Sequence, residues 1–316
     1  MSRRLQANLV LVLCSLIWGG TFVVVQRALA DVGVFPFLAA RFALSAAIMF
    51  LIARADLRLL KPAQVWRGIS IGLLMFGGFT FQTAGLLYTS SSKTAFITGF
   101  SVVLVPLFVA LFWKGQTNAW VMTGALTALI GLYYLTVPSS GLSGFQSGNL
   151  LVFACAVMFA FQIIFIARHS PSFPVSALSF LQIATTAVLS TAALPLLAAI
   201  HPASLRFHLD TMSILAIIAT ALLATVLAFS MQVWAQRRTT ATSAALIFSL
   251  EPLFAAITSF IVLHERLGWR ALAGAALILL GIVIVEMKGP APAGIDAAAE
   301  WPAAELREKD KLEICN

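Results

Sequence analysis

The chain has 316 residues, of which 60% are hydrophobic and 10% charged, and its mean hydropathy is +0.97. A soluble domain is nearer about 45–50% apolar and about 25% charged, so a water-soluble globular protein is excluded. The formal net charge of +8 would suit a nucleic-acid binder only if the basic residues formed a stripe, and they lie instead in the loops between apolar runs.

Ten apolar runs follow one another, at 7–27, 36–54, 68–88, 93–113, 119–137, 148–167, 176–198, 212–234, 241–263 and 269–287. About 20 apolar residues suffice to cross the hydrocarbon core as a helix, so the expected fold is an all-α membrane protein of ten transmembrane helices. Arg3-Arg4, the first run and Ala28-Leu29-Ala30 imitate a secretory signal. Against that, the run is too long and Trp18-Gly19-Gly20-Thr21 interrupts it. Trp18 lies mid-span, away from the interfaces where Trp anchors; it is either bundle packing or the wall of an aromatic site.

The second run carries Arg41, and the ninth carries Glu251. They are the two charged residues well inside predicted spans, where a charge costs about 2.5–3.5 kcal/mol. Arg41 reads either as a substrate clamp or as a packing residue bonded to carbonyls. Glu251 reads as a proton-coupling group, as a site for a cationic part of the substrate, or as a structural donor. Gln82, Gln162, Gln182 and Gln232 occupy the third, sixth, seventh and eighth runs; each lines a cavity or bonds a neighbouring helix. Pro106 and Pro252 lie inside the fourth and ninth runs, and each is expected to kink its helix or act as a hinge. Gly124 with Gly131, and Gly274 with Gly281, put small residues two turns apart on one face. That allows close packing within the chain or in a homodimer. After Gly289-Pro290-Ala291-Pro292 the tail holds six acidic and three basic residues and reads as a disordered cytoplasmic segment over 288–316.

The chain also matches itself. Residues 79–137 shifted by 150 fall on 229–287 without a gap, pairing Phe79 with Phe229, Gln82 with Gln232, Thr89 with Thr239, Gly124 with Gly274 and Gly131 with Gly281. The preceding stretch matches with an offset of 141, pairing Asn8 with Asn149, Cys14 with Cys155 and Arg27 with Arg168. Under that offset Gln182 takes the place of Arg41, and Gln162 that of Thr21. Duplication in a hydrophobic chain is the mark of a secondary transporter, here with repeats at 7–137 and 148–287. Five helices is an odd number, so the second repeat enters from the opposite face and the two are inverted. Eleven basic residues, among them Arg3, Arg4, Arg67 and Arg238, flank one side; five, Arg27, Lys93, Arg206, Arg266 and Arg270, flank the other. The positive-inside rule then puts both termini in the cytoplasm.

Four segments resemble the EamA-type proteins of the drug/metabolite transporter superfamily: Ser15-Leu16-Ile17-Trp18-Gly19-Gly20-Thr21-Phe22, Pro36-Phe37-Leu38-Ala39-Ala40-Arg41-Phe42, Ser249-Leu250-Glu251-Pro252-Leu253-Phe254-Ala255-Ala256, and His264-Glu265-Arg266-Leu267 followed by Gly274 and Gly281. The likeness covers about residues 8–287. It implies a ten-helix fold of two inverted five-helix repeats that moves small organic solutes. The first repeat departs from the pattern, with Lys114-Gly115-Gln116 where the family often has an acidic residue, and no symmetric role for Glu265 follows.

The resulting expectation is a secondary active transporter, read as an exporter of a small organic metabolite or drug by alternating access, in a bacterial inner membrane. Its partners are a small-molecule substrate, the lipid bilayer and protons as the coupling ion; it is a monomer or homodimer and binds no nucleic acid. No cofactor is expected. The four His residues lack metal-ligand spacing, Cys14, Cys155 and Cys315 form no disulfide framework, and nucleotide-binding motifs are missing from the sequence. The alternatives are a membrane-embedded enzyme, which would need clustered His, Asp or Glu, and a signalling or assembly protein.

Overall fold

The computed structural model describes residues 2–29, 31–86, 88–89, 91–113, 118–137, 147–200, 205–208, 210–263 and 268–289. The acidic tail beyond Gly289, Lys114–Gln116, Glu265 with its motif, His201 and Cys315 lie outside these residues.

Thirteen α-helices form among the described residues. The first repeat contains α1 (Arg3–Ala28), α2 (Val34–Leu57), α3 (Pro62–Leu86), α4 (Ser91–Thr98), α5 (Ser101–Trp113) and α6 (Ala119–Thr136). The second contains α7 (Ser147–His169), α8 (Val175–Ile200), α9 (Thr211–Ala219), a π-helical segment (Thr220–Leu227), α10 (Ala228–Gln236), α11 (Ala241–Phe248), α12 (Glu251–Leu263) and α13 (Trp269–Lys288). Extended pairing among the described residues is limited to one isolated bridge, Val32 to Phe207. Among the described residues, eight helical stretches are long and apolar enough to cross a membrane: α2, α4 with α5, α6, α7, α8, α9 through α10, α11 into α12, and α13. Helices α1 and α3, of 26 and 25 residues, pack among them, α1 against α10 and α12, and α3 against α7 and α8.

Two expectations change. The runs 93–113 and 241–263 are not single helices. Each breaks, at Gly99-Phe100 and at Ser249-Leu250, and the breaks are 150 residues apart. Both are drawn in by three-residue turns, Phe100 N–H to Ile97 O at 3.1 Å and Leu250 N–H to Ile247 O at 3.0 Å. Pro252 therefore does not kink a helix interior. It sits in the first turn of α12, where a missing N–H costs little, and the bend precedes it. Pro106 does lie inside α5. Pro195, which interrupts its apolar run, is carried within α8.

Contacts between the repeats come in matched sets. Helix α3 packs on α7 as α1 packs on α10, and α5 packs on α7 as α1 packs on α12. The glycine faces meet within the chain. A Cβ at Gly124 would stand 2.7 Å from Gly281 O, and one at Gly131 would stand 2.6 Å from Gly274 O. The earlier glycine of α6 thus meets the later glycine of α13, so these repeat mates cross antiparallel. Only residues without a Cβ allow backbones this close.

Contacts also define two ends of the bundle. At one end Arg4 pairs with Glu286, Asn118 Nδ2 donates to Lys288 O at 2.8 Å, Gln64 Nε2 donates to Ser172 O at 2.6 Å, and Ser176 donates to the Asp56 carboxylate. At the other, Gly33 N–H donates to Arg206 O at 2.6 Å, and Gly148 lies against Gly85 and Tyr88. Asp210 caps α9 there through Ser213 N–H at 2.8 Å. The bonds from Ser213 hold its carboxyl below the usual range.

Candidate functional site

The centre of the bundle is built around the π-helical segment. A π turn is rare and frequently marks a functional position. Its wider coil presents the carbonyls of Ala221 and Ala224 to neighbouring helices, and three side chains take them. Trp18 Nε1 donates to Ala224 O at 2.9 Å, Arg41 Nη2 donates to the same oxygen at 3.3 Å, and Ser45 Oγ donates to Ala221 O at 3.2 Å. Arg41 Nε adds a 2.7 Å bond to Thr225 Oγ1, whose own hydroxyl donates to Thr220 O five residues back.

Arg41 is 7% exposed. Its guanidinium has five N–H donors; Nη1 has no hydrogen-bond partner among the described residues. The cation lies over two rings, 5.3 Å from the centroid of Phe42 and 5.7 Å from that of Phe79, contacts worth about 0.5–2 kcal/mol. Phe79 continues the ring cluster to Phe159 at 5.5 Å and to its own repeat mate Phe229 at 6.4 Å, and Phe229 meets Trp18 at 5.2 Å. Phe159 is the repeat mate of Trp18, so the two outer contacts of this row are symmetry-related. The row lies where the repeats meet.

Glu251 opens α12 and is half-buried. It lies within electrostatic reach of Arg41, but the two do not touch; the ion pair among the described residues is Arg4–Glu286, at 3.3 Å. Helix α1 presses directly on this first turn, since a Cβ at Gly19 would stand 2.6 Å from Glu251 O. Ser15 reaches the other side of the break, donating to Ile247 O at 3.1 Å.

The glutamines divide. Gln162, Gln182 and Gln232 are buried and join in a row: Gln232 Nε2 to Gln162 Oε1 at 3.5 Å, then Gln162 Nε2 to Gln182 Oε1 at 3.2 Å. Both ends of the row are open, because Gln182 Nε2 and Gln232 Oε1 have no partner among the described residues. Gln82 stands apart and donates to Thr98 Oγ1 at 3.4 Å. Of the expected site residues, the structure gathers Trp18, Arg41 and Glu251 about one centre and Gln162, Gln182 and Gln232 in one row; Gln82, Pro106 and Pro252 belong to neither. A groove of about 320 Å³, lined by Val10, Val175, Ser230, Met231 and Trp234, is lined by neither Arg41 nor Glu251.

Sequence reasoning missed Thr225, the Ala224 carbonyl and the Phe42–Phe79–Phe229 row. Threonines and phenylalanines are common in apolar helices, and nothing in Thr220–Leu227 signals a π coil. The one available clue was that Phe79 and Phe229 coincide under the repeat offset.

The model of the EamA-like transporter family matches residues 5–137 and again 146–287. A protein of Archaeoglobus fulgidus named as an uncharacterized transporter is 37% identical over 286 residues, covering 90% of this chain and 87% of its own length. A second uncharacterized transporter of that organism is 23% identical over 292 residues, covering 90% and 98%. A solved protein crystal structure superposes with a TM-score of 0.74 at 20% identity, over 89% of this chain and 96% of that one, which shows a shared fold.

Proposed function

This chain belongs to the EamA-like transporter family, and from that premise we propose that it is a secondary active transporter, an exporter of a small organic solute that works by alternating access. A multi-pass integral membrane protein and a membrane transporter are given by the family and the apolar helices. The finer reading is ten spans, counting α1, α3 and each broken helix pair once, in two inverted repeats at 7–137 and 148–287, in a bacterial inner membrane with both termini cytoplasmic. The antiparallel crossing of α6 and α13 and the matched contacts between repeats support the inversion.

The observation that carries the proposal is Arg41. It is a cation held at the meeting of the repeats on π-segment carbonyls, walled by aromatic rings, with Nη1 still unpaired among the described residues. A guanidinium in that setting can hold an oxygen of the solute while Trp18 and the phenylalanine row cover its apolar part. Glu251, across from it, takes the coupling proton or a cationic group of the solute. The open ends of the glutamine row give further polar contacts, and Gln82 and Gln232 assist opposite gates. The helix breaks at Gly99 and Ser249, more than Pro106 and Pro252, are the points about which half-helices tilt.

A thermal-shift screen of a metabolite panel on detergent-purified protein tests the site. The expected result is a solute that stabilises the wild type and leaves Arg41→Gln unshifted. Equal stabilisation of both proteins by every hit would remove Arg41 from the site.

A further inference from the structure

Two hydrogen bonds at opposite ends of the bundle are copies of one another. Thr239 Oγ1 donates to Asn8 Oδ1 at 2.8 Å, and Thr89 Oγ1 donates to Asn149 Oδ1 at 2.8 Å. Asn149 is the mate of Asn8 under the offset of 141, and Thr89 is the mate of Thr239 under the offset of 150. Each bond therefore joins two separately aligned parts of the duplicated chain. Each threonine occupies the corner before a broken helix, α11 or α4, and each asparagine lies near the start of α1 or α7. The first bond sits at the end with Arg4 and Glu286, the second at the end with Gly85 and Gly148.

A cysteine follows each asparagine on its helix. Cys14 and Cys155 are repeat mates, each six residues past its asparagine, or about 9 Å along a helix. Both are fully buried. Cys14 Sγ donates to Ala228 O at 3.4 Å, on the same α1–α10 contact that Asn8 and Thr239 close. Cys155 Sγ lies 3.9 Å from the Oγ1 of Thr98, at the end of α4, whose own repeat mate is Phe248 rather than Ala228.

We propose that Asn8–Thr239 and Asn149–Thr89 are the two gate latches of this transporter, one for each face, and that the described conformation, with both made, is the occluded state. This rests on the alternating-access reading above. Opening toward one face breaks one latch and keeps the other. The latches are not equally backed. Arg4 Nη2 binds Glu286 at 3.3 Å and Ser243 at 3.4 Å beside the first. The mate of Glu286 is Thr136, which bonds within its own helix to Leu132 O, so among the described residues this ion pair has no copy at the second latch. The Asn149–Thr89 face therefore opens the more easily.

The natural cysteines report the test in a Cys315→Ser background. Right-side-out and inside-out vesicles are labelled with a membrane-impermeant maleimide, for the starting protein and for Thr239→Val and Thr89→Val, with Thr→Ser at each position as the variant that keeps the hydroxyl. Thr239→Val is expected to speed Cys14 labelling from the Arg4 face, and Thr89→Val to speed Cys155 labelling from the opposite face. The gain is about three- to fivefold at each face, the population change given by one interhelical hydrogen bond of ~0.6–1 kcal/mol, and the starting rate is higher for Cys155 than for Cys14. Both Thr→Ser variants stay near the starting rates. Unchanged labelling in both Val variants, or a rise at both cysteines in each, overturns the latches. The same vesicles are assayed for solute exchange. Exchange with unmoved labelling discards the latches and keeps the transporter; moved labelling without exchange does the reverse.

Discussion

The crossing of α6 and α13 yields a prediction with a calculable size. In Gly131→Ala the new methyl would lie 2.6 Å from Gly274 O and 2.7 Å from Ile278 N, against 3.4 Å or more for ordinary contact. Both neighbours are helix backbone and cannot swing aside, so the helices must separate by about 0.8 Å. Overpacking of this kind costs ~1–3 kcal/mol, or roughly 2–5 °C in apparent melting temperature for a chain of this length. Gly274→Ala strains the same crossing from the other side, with Gly131 O at 2.5 Å. Once one substitution has parted the helices, the other finds room, so the double variant should lose clearly less than the two single losses combined. Gly20→Ala is the control: its nearest neighbour would be Thr258 Oγ1 at 4.0 Å, and Ala favours a helix by up to ~1 kcal/mol over Gly. Melting of the four detergent-purified variants decides it. If Gly131→Ala melts like Gly20→Ala, or the double variant loses the full sum, the antiparallel contact of repeat mates is wrong.

Two further outcomes are expected. Glu251→Gln keeps the shape and a donor but has no titratable proton, so it should lose accumulation driven by a pH gradient while still exchanging solute; accumulation equal to wild type would leave Glu251 a packing residue. A C-terminal alkaline phosphatase fusion expressed in a bacterium should be inactive, as the proposed cytoplasmic termini require, and an active fusion would reverse the topology.

Much of this is legible in the chain because burial in lipid restricts it so severely. Apolar runs can only be helices there, the cost of intramembrane charge singles out Arg41 and Glu251, and the two offsets pair the glycines and the latch residues by residue order alone. What is not legible depends on how helices meet. The sequence pairs Gly124 with Gly274, whereas the structure puts Gly124 against Gly281, because repeat mates cross antiparallel. It pairs Asn8 with Asn149 and Thr89 with Thr239 without bringing any asparagine to a threonine. Carried back along the same helix, the offset of 150 sets the π coil at Thr220–Leu227 against residues 70–77, which are ordinary α-helix within α3. Equivalent sequence positions thus take different coils, and only the bonds from Trp18, Arg41 and Ser45 reveal what the π coil holds. The ninth run reads as continuous because Ser249-Leu250 carries neither Gly nor Pro.

This protein is proposed to carry a solute across the membrane on a site that includes Arg41. Proteoliposomes loaded with an unlabelled hit from the thermal-shift panel and diluted into labelled hit measure it directly. The expected result is a transient inward overshoot of label for the wild type, missing from protein-free liposomes and lost in Arg41→Gln. Label that never exceeds the protein-free level, for any solute that stabilises the protein, would contradict it.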